Sequence, residues 1–203
     1  MSKSSQWLLL TGLGVLIISP DSLLIRLVNI SDFSLIFYRS YLQAVPLFLF
    51  CLFIYRRNTL SAFLAIGIPG IVYALLFATT HIAFVYSIQH TAVSNTLVII
   101  AGAPIFSAIL SIIFLNEKPS FFTWLIIFIA LASMFIIGWG SYTTLGIFGD
   151  FMAIICAIAM GSGVVLARYF KKIDLVPACF VGCIIAGLFT LPFEIDFNLN
   201  FNQ

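Results

Sequence analysis

Residues 90–119 read HTAVSNTLVIIAGAPIFSAILSIIFLNEKP. From Ala92 to Leu115 no side chain carries a charge, and Asn116, Glu117, Lys118 and Pro119 then arrive together. A helix needs roughly 20 apolar residues to cross a hydrocarbon layer of about 30 Å, so this run reads as a membrane-spanning helix. Pro104 sits at its centre and offers no amide proton to the carbonyl of Ile100 one turn earlier, which predicts a kink there. Ala103, Ser107 and Ser111 recur every fourth residue and form a narrow small-residue stripe, against which a second helix can pack with close backbone approach. Packing alone is the simpler reading of both features; a helix lining a cavity shows them too.

The composition around this stretch points the same way. Of 203 residues, 63% are hydrophobic and only 8% charged, against about a quarter charged in an average soluble protein. With a mean hydropathy of +1.20, the chain reads as an all-α integral membrane protein whose first partner is the lipid bilayer. Its nine basic residues are scattered at helix ends and build no basic patch, so no nucleic-acid partner is expected. Cys51, Cys156, Cys179 and Cys183 all fall inside apolar runs and form no C-x-x-C pair. They read as small buried thiols rather than disulfide partners or metal ligands, and no cofactor is expected. The N-terminus has a lysine followed by an apolar core but lacks a good small-x-small cleavage site, so it reads as a retained first helix.

Seven candidate spans follow, at about 7–28, 33–55, 62–87, 92–115, 121–140, 148–170 and 175–193, separated by short polar connections. With a cytoplasmic N-terminus, Lys3, Arg56, Arg57, Lys118, Arg168, Lys171 and Lys172 all fall inside, seven of the nine basic residues. Arg26 and Arg39 are the exceptions, near the outer ends of the first two spans. An offset of 142 residues lays Leu24, Ile25 and Arg26 on Leu166, Ala167 and Arg168. The two copies fall on the first and sixth spans, an odd offset of five, so they would lie inverted in the membrane, as in transporter repeats. The end of the chain, from Phe193 to Gln203, alternates apolar and polar residues and resembles no membrane helix.

An ionisable group within a span costs about 2.5–3.5 kcal/mol to insert, which makes each one a functional candidate. Asp21 follows Ser19 and Pro20, where the first helix is expected to break or kink and expose backbone groups beside a carboxylate. Arg26 or Arg39 would neutralise Asp21 or bind an anionic group of a substrate; an ion pair or headgroup contact at the outer rim is the plainer alternative. His81 lies deep in the third span after Thr79 and Thr80, with Tyr73 and Tyr86 on the same span. It reads either as a proton-linked or substrate-binding group or as a neutral imidazole bonded to a neighbouring helix. Asn95 supplies a donor and an acceptor and suits an interhelical clamp as well as a ligand contact.

Enzyme signatures are missing. No H-E-x-x-H, G-x-x-x-x-G-K-[ST] or G-x-G-x-x-G occurs. Ser162 stands between Gly161 and Gly163, but Ala159 and Met160 do not complete a nucleophile motif, and the glycines read as sites of close helix packing. The chain is not expected to be an enzyme.

The motif order resembles the EamA-like branch of the drug/metabolite transporter superfamily. The resembling residues are Ser19, Pro20 and Asp21 followed by Arg26; Phe37, Tyr38 and Arg39; Thr91 to Asn95 leading to Ala103 and Pro104; Glu117 closing the fourth span; and Gly149 with Asp150 opening the sixth. The resemblance implies two inverted five-helix units around a central cavity, with alternating access moving a small-molecule substrate (a metabolite, amino acid or drug) across the bacterial inner membrane. On that pattern Asp21, Arg39, His81 and Asn95 are the substrate-binding candidates. Residues 1–144 would form a complete first EamA repeat, and 145–203 the first two helices of an inverted second one with a short polar tail. Three helices of the family pattern are then missing, which implies either homodimerisation to restore the second half or a truncated, non-transporting fragment acting only through helix association.

Overall fold

The computed structural model describes residues 12, 21–22, 25, 28, 30–117, 119–139, 146–171 and 174–193. Most of the first expected span, the break expected at Pro20, Arg26, the 140–144 connection and the alternating tail after Phe193 lie outside these residues. Among them every regular element is helical. Helix α1, Asp32–Tyr55, starts where the Ser31 hydroxyl accepts from the amide of Ser34 at 3.3 Å and Asp32 places a carboxylate in the first turn. It ends at Arg56, whose φ of 49° leaves the helical region. A 3-10 turn, Arg56–Asn58, and the short α2, Thr59–Leu64, carry the chain to Gly67, where φ is +57°, a conformation open to glycine at little cost. There follow α3, Gly67–His90; α4, Val93–Ile100; α5, Ala103–Leu115; α6, Phe121–Trp139; α7, Ile147–Tyr169; and α8, Leu175–Thr190.

Four stretches are long and apolar enough to cross a membrane, Asp32–Leu64, Gly67–His90, Val93–Leu115 and Ile147–Tyr169. The chain is therefore a multi-pass membrane protein. The largest boundary differences lie between the second and third spans. The helix of the second span closes at Tyr55 as expected, the short α2 carries the apolar stretch on to Leu64, and the third span starts at Gly67, where φ is positive, instead of at 62.

Pro104 does not kink a continuous helix as expected. The helix is interrupted at Ala101 and Gly102, and Pro104 occupies the first turn of the second half. In that position the missing amide is one that no helix would have used. Tight bonds close the gap: Gly102 donates to the Ile99 carbonyl at 3.0 Å, and Ile105 to Gly102 at 2.9 Å. In α1, by contrast, Pro46 lies in the helix interior without ending it.

Helix α3 is the centre of the bundle, packed most extensively against α7 and α8; α8 also lies along α1, and α7 also holds α4 and α5. The packing inverts that of a soluble protein. Ala74, Ala78, Ala153, Ala157, Ala178 and Ala186 are buried, while Leu42, Phe121, Phe122, Ile126 and Ile136 are more than 60% exposed. Small residues inside and large apolar ones outside are what a lipid-solvated bundle needs, because close approach of backbones replaces hydrophobic burial as the source of association. Gly161 shows the approach directly. A Cβ there would stand 2.8 Å from the Ala103 carbonyl oxygen and 3.0 Å from the Ser107 nitrogen, so the small-residue stripe of α5 is a packing face for α7.

Polar clasps at the helix ends fix which ends lie together. At one end His90 Nε2 meets Asp32 Oδ2 at 2.7 Å, and the Thr91 hydroxyl donates to Asp150 at 2.7 Å. At the other, Arg168 Nη2 donates to both carboxylate oxygens of Glu117, at 2.8 and 2.7 Å, and the Tyr55 hydroxyl donates to Asp174. Thus α1 and α3 are antiparallel, whereas the α4–α5 span and α7 run parallel.

Candidate functional site

Arg39 lies seven residues into α1 and His81 nine residues before the end of α3. Since Asp32 and His90 join those two ends, both side chains sit at similar depth, about 10 and about 13 Å along their helices. Depth alone does not make them neighbours; Phe84 does. It follows His81 by three residues, hence on the same face of α3, and its ring centroid lies 4.8 Å from Arg39 Cζ. The guanidinium therefore rests on an aromatic face, a cation–π contact that strengthens away from water.

Asp21 reaches the same point from the segment ahead of α1. Its Oδ2 accepts from Arg39 Nη2 at 2.6 Å. Of the two partners open to Asp21 in the sequence, Arg39 meets it, and Arg26 lies outside the described residues. The ion pair is only partly covered, the side chains being 23% exposed at Arg39 and 35% at Asp21.

Arg39 Nη1, the Ser40 hydroxyl, His81 Nδ1 and Asn95 Oδ1 are all buried, and none has a hydrogen-bond partner among the described residues. A buried polar atom left so costs about 1–3 kcal/mol, and native interiors hold few of them. Thr79 and Thr80, which precede His81, bond to the carbonyls of Leu75 and Leu76 at 2.9 Å. Beside His81 itself stands the Phe77 ring, 4.7 Å away. Three of the four expected residues, Asp21, Arg39 and His81, are thus brought to one region. Asn95 is buried on α4 next to Thr96, whose hydroxyl bonds Ser87 at 2.7 Å, and no described contact joins it to the other three.

At the opposite end of the bundle lies a cavity of about 470 Å³, lined by Ser107, Ser111, Thr123, Pro104 and the Glu117–Arg168 pair. The stripe on α5 therefore both packs and lines a cavity, its alanine end against Gly161 and its serine end facing open space. The cavity's charged mouth and the Ser40 hydroxyl were not anticipated from sequence. Ser40 adjoins Arg39 on α1, a faint signal; Glu117 and Arg168 are 51 residues apart and carry none. Among the described residues no group of three His, Cys, Asp or Glu side chains could hold a metal ion.

Residues 5–139 match the model of the EamA-like transporter family. The chain belongs to that family. No curated protein and no solved structure matches it. Membership of the EamA-like family makes it a transporter-family protein and not an enzyme. Ser162 accords with this, as its hydroxyl donates to the Ile158 carbonyl at 2.7 Å in an ordinary helical back-bond.

Proposed function

We propose that this EamA-like protein moves a small molecule across the bacterial inner membrane by alternating access, with Asp21, Arg39, His81 and Asn95 lining the path. Residues 1–144 act as one five-helix unit, and α7 and α8 belong to a second unit inverted with respect to it. The observation that carries the reading is the set of buried polar atoms at Arg39, His81 and Asn95 that have no partner among the described residues, within an interior built mainly of small and aliphatic side chains. Burying such atoms without partners is costly, and a substrate path explains why the bundle keeps them. Alternating access supplies the role of the two ends. The outer-end clasps at Asp32–His90 and Thr91–Asp150 and the inner-end pair Glu117–Arg168 would break in turn.

Flux in proteoliposomes tests this. The wild-type chain is expected to show saturable uptake or counterflow of at least one member of a panel of amino acids and small metabolites. Arg39→Gln and His81→Leu are expected to reduce that flux at least tenfold while the protein still inserts at wild-type levels. Unchanged flux after substitution of Asp21, Arg39 and His81 in turn would put the path elsewhere.

A further inference from the structure

We propose that Arg39 and His81 recognise the carboxylate of an organic anion, and that Asp21 is an internal carboxylate which this ligand displaces. The inference deepens the transport reading and rests on it for the location of the site.

A guanidinium presents its nitrogens as a rigid fork that a carboxylate takes two at a time. Asp21 uses one prong, Nη2, and the other terminal nitrogen, Nη1, is buried with no acceptor among the described residues. Half of the fork is therefore unused. His81 supplies a second group with unused capacity. It is 7% exposed, its Nδ1 has no described partner, and it shares a helix face with Phe84, on whose ring Arg39 rests. An imidazole with its proton on Nδ1 donates to a carboxylate oxygen.

Charge selects among ligands. An ammonium group would meet the like charge of Arg39, and an alcohol taking the place of Asp21 would leave one prong unanswered and the Arg39 charge unbalanced. A second carboxylate added beside Asp21 would put two anions on one partly covered cation, so entry favours the departure of Asp21. Asp21 is the more exposed partner, at 35% against 23% for Arg39, and is the one able to turn toward water. The rings of Phe77 and Phe84 beside His81 and Arg39 suit an apolar body behind the carboxylate.

The test compares three probes with one body and different head groups, benzoate, benzyl alcohol and benzylamine, on the full chain in lipid nanodiscs. Equilibrium dialysis and the thermal unfolding midpoint are read together. Benzoate alone is expected to bind and raise the midpoint, and Asp21→Asn, by removing the internal competitor, is expected to tighten benzoate about tenfold. Arg39→Lys should weaken it at least tenfold and His81→Leu severalfold. Asp21→Asn and the head-group series suffice if an Arg39 variant does not fold. Benzylamine or benzyl alcohol binding as well as benzoate would overturn the proposal, as would unchanged or weaker benzoate binding in Asp21→Asn. Binding is read without flux, so the two readings fail separately. Benzoate binding with no transport of any compound removes the transport reading alone, and transport of amines with no benzoate binding removes the carboxylate alone.

Discussion

At the level of single residues, two glycines two positions apart make a sharp contrast. A Cβ at Gly161 would lie 2.8 Å from the Ala103 carbonyl oxygen, whereas one at Gly163 meets only the Tyr73 ring at 3.6 Å. Gly161→Ala is expected to destabilise the protein by about 1–3 kcal/mol through overpacking. Gly163→Ala, which adds helix propensity at ordinary contact distance, should be neutral or stabilising by up to about 1 kcal/mol. Thermal unfolding in detergent micelles decides, and equal effects at both sites would mean that α5 and α7 are not in backbone contact. The need for small residues at 161 and 103 was readable from sequence, because glycine and alanine at helical spacing in an apolar run have few other uses. Which of Gly161 and Gly163 faces α5 was not readable, since that depends on the rotation of α7, set by neighbours far away in the chain.

At the level of elements, the ends of α5 and α7 are tied by Glu117 and Arg168, whose side chains are 42% and 50% exposed. An ion pair so exposed is worth about 0.2–1 kcal/mol, so the pair adds little stability, and its place at the mouth of the 470 Å³ cavity leads us to expect that it acts there as a latch. Glu117→Gln should change the unfolding midpoint little, yet raise the reactivity of a cysteine placed at Ser111 toward a water-soluble maleimide. The charge-swapped pair Glu117→Arg with Arg168→Glu should restore protection; failure of the swap to do so would show that the two charges do not hold the cavity shut. The helix break between α4 and α5 belongs at this scale as well. Pro104 signalled a disruption, but the disruption falls at Ala101 and Gly102 because proline is comfortable in a first turn and the chain must loosen before it. The pairings Asp32–His90, Thr91–Asp150 and Glu117–Arg168 join residues 51 to 59 positions apart. Nothing local in a sequence specifies such partners, although the clustering of charges at span ends was plain.

At the level of the whole molecule, the helix-end clasps sort the described charges onto two faces. Arg56, Arg57, Arg168 and Lys171 gather with Glu117 and Asp174 at one face, while Asp32 and Asp150 lie with His90 at the other, where no described Lys or Arg sits at a helix end. Cytoplasmic loops carry the excess of Lys and Arg, so the Arg56 face is expected to be cytoplasmic, as a cytoplasmic N-terminus requires. Single cysteines report the arrangement. Asn58→Cys and Ser120→Cys belong to the Arg56 face, and Val28→Cys and Ile147→Cys to the Asp32 face; all four positions are exposed. The native thiols give little background, since Cys51, Cys156 and Cys183 are buried and Cys179 is half-buried within α8. A membrane-impermeant maleimide should label positions 28 and 147 in intact spheroplasts and positions 58 and 120 only in inverted vesicles. Labelling of 58 with 147 from one side would break the alternation that the clasps define. Reversed labelling of both pairs would keep the fold and overturn the orientation, placing Asp21, Arg39 and His81 toward the cytoplasm.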